Sequence, residues 1–168
     1  VFGVNFLVLA PEHDLVGKIT TLDQREEVSC YVEKVRLKTE RDRQADKNMS
    51  GVFTGAYAIH PFTNKKIEIW IADYVLANYG TGAIMAVPCG DQRDWDFANN
   101  FNIEIINIFK DISVSESANE AKNVVITNSD FLNNLNPEDA IKVAIDKIEE
   151  LGYGKQKTNF RLRDAVFS

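Results

Sequence analysis

Apolar and polar residues alternate most clearly over residues 66–72, "KIEIWIA". Ile67, Ile69 and Ile71 fall on one side of an extended chain and Glu68 and Trp70 on the other, so this period of two predicts a β-strand. The residues of 82–88, "GAIMAVP", are nearly all apolar, which predicts a strand buried on both faces. The other stretches with a strand-like pattern are residues 3–9, 51–61, 103–109, 123–127 and the tail 158–168.

Three stretches have the spacing of amphipathic helices. Residues 21–38 open with Thr21 and Gln24, a capping-box pattern, and place Val28, Tyr31, Val32 and Val35 on one face. Residues 91–101 begin at Asp91 and space Trp95, Ala98 and Phe101 along one side. Residues 136–152 combine Asn136 as the cap, Pro137 at the first helical position, a stripe of Ile141, Ile145 and Ile148, and Gly152 at the end.

Between the first helix and the long strand block, residues 39–50, "TERDRQADKNMS", are polar and highly charged. This composition predicts a solvated loop. The whole pattern predicts an α+β fold, either a mixed, curved sheet or a small β-barrel, with a few helices on the outside. The length of 168 residues predicts a single domain over residues 1–168.

The charge of the chain argues against nucleic-acid binding by this domain alone. The formal net charge is −6, whereas a chain that grips nucleic acid by itself usually carries a basic patch that neutralises phosphates. Any contact with nucleic acid is therefore expected to be small, with most of the grip supplied by another part of a larger protein.

Cysteine and histidine are too scarce for several kinds of site. Cys30 and Cys89 cannot supply a disulfide framework or a cysteine-rich zinc site, which favours a reduced, cytoplasmic setting. His13 and His60 are the two histidines, which limits metal and acid–base chemistry. No apolar run reaches the length of a membrane span.

The stretch 80–98, "GTGAIMAVPCGDQRDWDFA", holds the main candidates for chemistry. Asp91 and Asp94 fit the cap and first turn of a helix, where each contributes about 1 kcal/mol. Alternatively, Asp94 turns into a pocket and binds an ammonium group. The spacing alone favours the caps. Arg93, between them, is expected to form a surface salt bridge, or else to bind a phosphate or a carboxylate.

Other residues near this stretch have two interpretations as well. Gly80, Thr81 and Gly82 form either a tight entry into a strand or a place where a ligand approaches the backbone closely. Met85 and Val87 belong to the core or line an apolar pocket from one strand face. Cys89 is either a small buried residue or a nucleophile at a helix N-terminus, for which His60 is the one plausible base.

Residues 79–98, "YGTGAIMAVPCGDQRDWDFA", resemble the editing domain inserted into leucyl-tRNA synthetases, in particular its G-T-G, M-A-V-P and D-x-R-D motifs. The segments 51–80, 1–16 and 159–168 are similar to the family's strand block, its opening strand and its return to the catalytic core. The resemblance covers nearly the whole chain and implies the fold of a class I synthetase editing domain of bacterial type.

The resemblance implies a role for each matching residue. Asp94 matches the aspartate that binds the α-amino group of a wrongly attached amino acid, the principal catalytic position of the site. Tyr79, Gly80, Thr81 and Gly82 match the wall around the terminal adenosine. Met85 and Val87 match the lining of the amino-acid pocket. Asp91 and Arg93 match neighbours that hold the site together.

Two departures from the family pattern affect these expectations. Gly90 stands where the family usually has histidine. The family's threonine-rich strand, T-T-R-P-D-T, is expected immediately before Val1, so the chain is expected to be a fragment that folds but edits weakly or accepts leucine. The first residue, Val1, is not methionine, which agrees with a fragment of a larger synthetase.

The expected function is hydrolysis of the ester of mischarged tRNA(Leu), carrying isoleucine, norvaline or methionine, by a bound water without a metal or other cofactor. ATP and Mg²⁺ would serve the parent synthetase elsewhere. The expected partners are the 3′ end of tRNA(Leu) and the rest of that synthetase, in the cytoplasm and with no membrane. Two alternatives are a non-catalytic module that binds the tRNA 3′ end and a stand-alone hydrolase using Cys89 and His60.

Overall fold

A computed structural model describes residues 1–45, 48–77, 80–121 and 123–158. Four strands form its sheet: β1 (Phe6–Leu9), β2 (Gly51–Ile59), β3 (Lys66–Ala72) and β4 (Ala83–Ala86). The helices are α1 (Val16–Ile19), α2 (Arg25–Arg36), α3 (Glu40–Ala45), α4 (Gln92–Asn100) and α5 (Pro137–Glu150), with a short 3₁₀ turn at Asp130–Leu132. The described part contains no helix long and apolar enough to cross a membrane.

The sheet is mixed and open, in the order β2-β3-β1-β4. β1 is parallel to β3 and antiparallel to β4, and β2 is antiparallel to β3. Leu7 of β1 therefore lies between Ile69 and Met85. The predicted α+β fold is confirmed, and of the two predicted forms of the sheet it is the open mixed sheet that the described residues adopt.

Helices cover both faces of the sheet, which explains why the central strands are so apolar. On one face, Phe6, Val8 and Ala86 pack with Phe97 and Ala98 of α4. The other face packs against α1 and α2. A separate apolar cluster joins α5 to the chain start and the 3₁₀ turn; its buried members are Phe2, Ile126, Leu132, Ala140 and Ala144.

The helix predictions for 91–101 and 136–152 are confirmed. The side chain of Asn136 accepts a hydrogen bond from the amide of Asp139 at 3.0 Å, and Pro137 opens the helix. The helix predicted for 21–38 forms as α2, with Val28 and Val35 buried. Its predicted capping box is wrong: Gln24 is the cap residue and makes no side-chain cap bond.

β2 contains an irregularity that requires a glycine. Its register with β3 shifts between Phe53 and Tyr57, and Gly55 in that bulge has a φ of +77°. A Cβ at Gly55 would collide with the side chain of Thr21. The bulge therefore depends on a residue that is free to adopt positive φ and has no side chain.

Four further predictions about local structure are wrong. Residues 39–50 are not a solvated loop throughout, because Glu40–Ala45 form α3 and Arg43 is only 5% exposed. Residues 82–88 are not buried on both faces, since β4 lies at a sheet edge and Met85 is 64% exposed. Residues 103–109 and 123–127 form no strands, only one bridge between Phe109 and Ile126.

In the described part of the chain, neither of the last two stretches has a continuous partner strand, and left-handed residues limit how far each can extend. Asparagine and aspartate tolerate the left-handed conformation better than most residues do, and each such residue interrupts an extended backbone. Left-handed residues flank both stretches, at Asn102, Asp111 and Asn128, with φ of 54°, 57° and 49°. The strand predicted for the tail 158–168 lies, apart from Thr158, outside the described residues.

Candidate active site

The two aspartates at the start of α4 have different roles. Asp91 is the N-cap: its extended backbone precedes the helix, and its Oδ1 accepts hydrogen bonds from the amides of Arg93 at 2.9 Å and Asp94 at 3.1 Å. One carboxylate oxygen thus satisfies two of the amides that a helix N-terminus leaves free. The predicted cap role of Asp91 is confirmed.

The carboxylate of Asp94 is turned away from its own helix. Its Oδ2 accepts a hydrogen bond from the backbone amide of Val87 at 2.8 Å, just beyond the end of β4. Its Oδ1 accepts one from the hydroxyl of Tyr74 at 3.1 Å. Asp94 is therefore not a second cap, contrary to what the spacing alone favoured, and its carboxylate joins α4, the end of β4 and the segment after β3.

Burial makes the charge of Asp94 costly. The residue is only 6% exposed, and this desolvation, together with the nearby charge of Asp91, raises its pKa from 3.8 to about 6. The amide of Val87, the hydroxyl of Tyr74 and the guanidinium of Arg93 act in the opposite direction. Asp94 is therefore ionised at neutral pH, and a cation placed beside it would offset part of its desolvation.

A cavity of about 810 Å³ adjoins this carboxylate. Its walls come from the segment after β3, from β4, from the first turn of α4 and from the loop that precedes residue 121. The lining residues are Tyr74, Val75, Leu76, Ile84, Met85, Asp91, Gln92, Arg93, Asp94 and Glu120. The cavity thus pairs an apolar wall with a carboxylate-rich one, which suits a ligand that has an apolar part and a cationic part.

Arg93 does not form the predicted surface salt bridge in the described structure. Its guanidinium lies over the ring of Tyr74, 5.6 Å from the ring centroid. This cation–π contact leaves the guanidinium at the rim of the cavity. From there it can approach an anionic group of a ligand, and its charge also favours the ionised form of Asp94.

Met85 and Val87 do not share a pocket wall. Met85 lies in β4 and lines the cavity. The strand ends at Ala86, and the side chain of Val87 points towards Gly3, where a Cβ would lie 3.0 Å from Val87 Cγ1. Val87 thus contributes its backbone amide, which binds Asp94, and its side chain is absent from the cavity lining.

The glycine-rich turn before β4 also lies outside that lining. Gly80 and Gly82 both have positive φ, 65° and 70°, and Thr81 Oγ1 hydrogen-bonds within the turn to the carbonyl of Ala83 at 3.2 Å. This geometry matches the interpretation as a tight strand entry. Tyr79, predicted to contact the adenosine, lies outside the described residues.

Cys89 and His60 do not form a nucleophile–base pair among the described residues. Cys89 is fully buried, and desolvation raises the pKa of its thiol, the reverse of what an activated nucleophile requires. His60 Nδ1 accepts the amides of Phe62 at 3.1 Å and Thr63 at 3.2 Å. The imidazole therefore stabilises a turn, and the alternative of a Cys/His hydrolase is not supported.

Sequence reasoning missed six residues of the cavity lining, namely Tyr74, Val75, Leu76, Ile84, Gln92 and Glu120. Tyr74 and Gln92 carried no spacing signal, and Glu120 lies in a stretch without regular structure. Gln92 fixes the loop before Glu120, since its Oε1 accepts the amide of Ala118 at 3.0 Å. Within the described residues no group of three or more His, Cys, Asp and Glu side chains is placed to hold a metal ion.

Comparison with known proteins identifies the family. The family model described as "Leucyl-tRNA synthetase, editing domain" matches residues 1–149. Curated relatives include the leucine–tRNA ligases of Flavobacterium johnsoniae, 61% identical, and Christiangramia forsetii, 58% identical, each aligned over the whole chain. The chain spans 18% of the length of each.

A solved structure agrees with these sequence matches. It is the ternary complex of Agrobacterium radiobacter K84 agnB2 LeuRS with tRNA and LeuAMS, which superposes with a TM-score of 0.70 at 25% identity. The match covers 96% of this chain and 17% of that one. Since the fold, the motif around Asp94 and the family model agree, this chain belongs to the editing-domain family of the leucyl-tRNA synthetases.

Proposed function

We propose that this chain edits mischarged tRNA(Leu) as part of a leucine–tRNA ligase, by hydrolysing the ester between the tRNA and a wrong amino acid. The expected errors are isoleucine, norvaline and methionine. The observation that carries the proposal is the carboxylate of Asp94, which is buried in the wall of a cavity of about 810 Å³. A buried carboxylate beside an apolar wall suits an amino acid, because the carboxylate can bind the ammonium group while the apolar wall contacts the side chain.

The need for such a site follows from the limits of binding. A hydrophobic pocket separates substrates that differ by one methylene group by only about 1–3 kcal/mol, and synthetase editing is the standard example of a second sieve that removes the resulting errors. The second site must accept the wrong side chain and reject leucine. In this chain Leu76, Ile84 and Met85 form the apolar wall that would receive it.

In the proposed reaction Asp94 binds the α-ammonium group and fixes the ester in the cavity. A bound water attacks the ester carbonyl, the bond to the terminal ribose oxygen breaks, and that oxygen takes up a proton as the free amino acid leaves. The developing oxyanion is stabilised by hydrogen-bond donors of the site and of the ribose itself. This route uses no protein nucleophile, no metal and no other cofactor; ATP and Mg²⁺ would act at the ligase's aminoacylation site.

The proposed contact with tRNA is small. The net charge of −6 suits a domain that receives only the 3′ end, while the rest of the ligase binds the body of the tRNA. The solved relative is a complex with tRNA, which supports a role in tRNA binding for the ligase that carries this domain. The terminal adenosine would lie beside Gly80, Thr81 and Gly82, which match the family's wall around that nucleotide.

The test is deacylation of isoleucyl-tRNA(Leu) by the full-length ligase that carries this domain. Asp94→Asn removes the charge and keeps the shape, so turnover should fall at least tenfold, by loss of one charge-assisted interaction. Asp146→Asn, an exposed carboxylate of α5 that is absent from the cavity lining, is the control and should deacylate at the wild-type rate. Binding of the tRNA without turnover in the wild type would mean a non-catalytic module and refute the proposal.

A further inference from the structure

We propose that Arg43, on α3, is a positioning residue for this reaction: it fixes the backbone on both sides of Tyr74, so that the Tyr74 hydroxyl holds the carboxylate of Asp94. The inference rests on the proposed function and extends it to a helix that contributes no residue to the cavity lining. It assigns a purpose to a buried cation that sequence reasoning placed in a solvated loop.

Arg43 reaches the two carbonyls that flank Tyr74. Its Nε donates to the carbonyl of Asp73 and its Nη2 to the carbonyl of Val75, both at 2.8 Å. Its Nη1 donates to Glu12 Oε1 at 2.6 Å. The planar guanidinium presents these donors in fixed directions, so it holds both carbonyls and orients the peptide units next to Tyr74. The amide and the carboxylate of Asp73 are also held, by the hydroxyl of Tyr31 and by Lys38.

Tyr74 connects this backbone clamp to the site. Its hydroxyl donates to Asp94 Oδ1 at 3.1 Å, and its ring packs edge-on against Phe97, with the centroids 5.8 Å apart. Burial and the charge of Asp94 raise the pKa of the Tyr74 hydroxyl, so it stays protonated and remains a donor. A rotation of the backbone at Tyr74 would therefore displace the hydroxyl and weaken its hydrogen bond to the carboxylate of Asp94.

The clamp also explains why arginine is found at this position. A buried cation is expensive unless its donors are satisfied, and here Glu12 and two carbonyls satisfy it. A lysine would keep the charge and could still pair with Glu12, but a single ammonium group cannot hold both carbonyls with the geometry of the fork. Arg43→Lys is thus a variant that removes the clamp and keeps the ion pair.

The experiment is a double-mutant cycle on deacylation of isoleucyl-tRNA(Leu), in the full-length ligase, with Arg43→Lys, Tyr74→Phe and the double variant. Loss of one hydrogen bond to a charged group corresponds to about tenfold in kcat/KM. Because Arg43 acts through Tyr74, the double variant should also lose about tenfold, rather than the hundredfold that independent effects would give.

The pH profile supplies a readout that a loss of stability alone would not move. Both single variants weaken a hydrogen bond to the ionised form of Asp94, so the acid limb of the kcat/KM profile should move to higher pH by a similar amount in each. Thr39→Ala is the control, because Thr39 Oγ1 accepts the amide of Asp42 at 3.2 Å in the first turn of α3. The Thr39→Ala variant loosens α3 without removing a side-chain hydrogen bond of Arg43. The acid limb of its kcat/KM profile should therefore coincide with that of the wild type.

Glu12→Gln serves if Arg43→Lys does not fold. Glu12 is the partner whose side chain is 37% exposed, and its loss should shift the acid limb in the same direction by a smaller amount. Additive losses in the cycle, or an acid limb that does not move in Arg43→Lys or in Glu12→Gln, would overturn the positioning role while leaving the proposed function intact. A wild-type ligase that does not deacylate would overturn both.

Discussion

Replacing Asp94 with asparagine should make this protein more stable at neutral pH and at the same time less active. The asparagine side chain can retain both hydrogen bonds, since its carbonyl oxygen can accept the amide of Val87 and its amino group can donate to the hydroxyl of Tyr74. What the variant loses is the buried negative charge. Since the pKa of Asp94 is raised from 3.8 to about 6, that charge destabilises the folded state.

The size and the sign of the effect follow from linkage. A carboxyl group with a raised pKa binds its proton more tightly in the folded state, so its contribution to stability is greatest below the unfolded pKa, near 4, and is lost as the pH rises through about 6. The shift of roughly two units corresponds to about 3 kcal/mol at full ionisation. The gain in the free energy of unfolding of Asp94→Asn over the wild type should thus grow by about 1–3 kcal/mol between pH 4 and pH 7.5.

Urea unfolding followed by the fluorescence of Trp70 and Trp95, at half-unit steps from pH 4 to pH 8, measures this difference. Asp96→Asn controls for the general effect of removing a carboxylate from α4, and it should show no comparable growth with pH. If the difference between Asp94→Asn and the wild type is constant across the range, or shrinks as the pH rises, the buried charge is not the cost that the structure implies. A destabilising effect of the buried Asp94 charge would then be refuted even if activity is lost.

The remaining predictions concern the pH profile, two local features of the fold and the thiol. The kcat/KM for deacylation should fall as the pH drops below about 6, because a protonated Asp94 does not attract the ammonium group; an acid limb below pH 4 would contradict this. Asn136→Ala should lower the free energy of unfolding by about 1 kcal/mol in urea titrations, whereas Asn136→Ser, which keeps a cap oxygen and adds no charge beside Asp139, should change it by a few tenths at most. Gly55→Ala should cost more than Gly80→Ala by the same measurement, since both glycines have positive φ but only a Cβ at Gly55 meets a side chain; equal costs would mean that the bulge adjusts to Thr21. Cys89→Ala should deacylate at the wild-type rate, and loss of turnover in a folded variant would restore the thiol as a candidate nucleophile.

Local patterns predicted the elements whose residues satisfy one another within a few positions. The period of two over Lys66–Ala72 predicts β3 with the bounds that the structure shows, and α5 begins directly after its predicted cap, Asn136. Such features depend mainly on residues that are close in the sequence. The stretch 103–109 shows the limit, because its residues are apolar enough for a strand but lack a continuous partner to pair with.

The site was harder to predict because its contacts are distant in sequence. The spacing of Asp91 and Asp94 is the same whether the second carboxylate caps the helix or faces a cavity; what decides is the amide of Val87 and the hydroxyl of Tyr74. Arg43 belongs to a stretch of alternating charges that is typical of a solvated surface. Its burial depends on the carbonyls of Asp73 and Val75, which no pattern of side chains can reveal.

The strand order has a consequence for how the protein folds. β1 belongs to the first residues of the chain, yet it lies in the middle of the sheet, between β3 and β4. During synthesis on a ribosome the β2–β3 hairpin can pair as soon as it emerges, whereas β1 must wait for both of its neighbours and close a long loop to reach them. Until Ala86 has emerged from the ribosome, β1, with its apolar residues Phe6 and Val8, lacks one of its two partner strands. Completion of β4 is therefore the step that ends its exposure to aggregation, and a pause in translation before that point would prolong it.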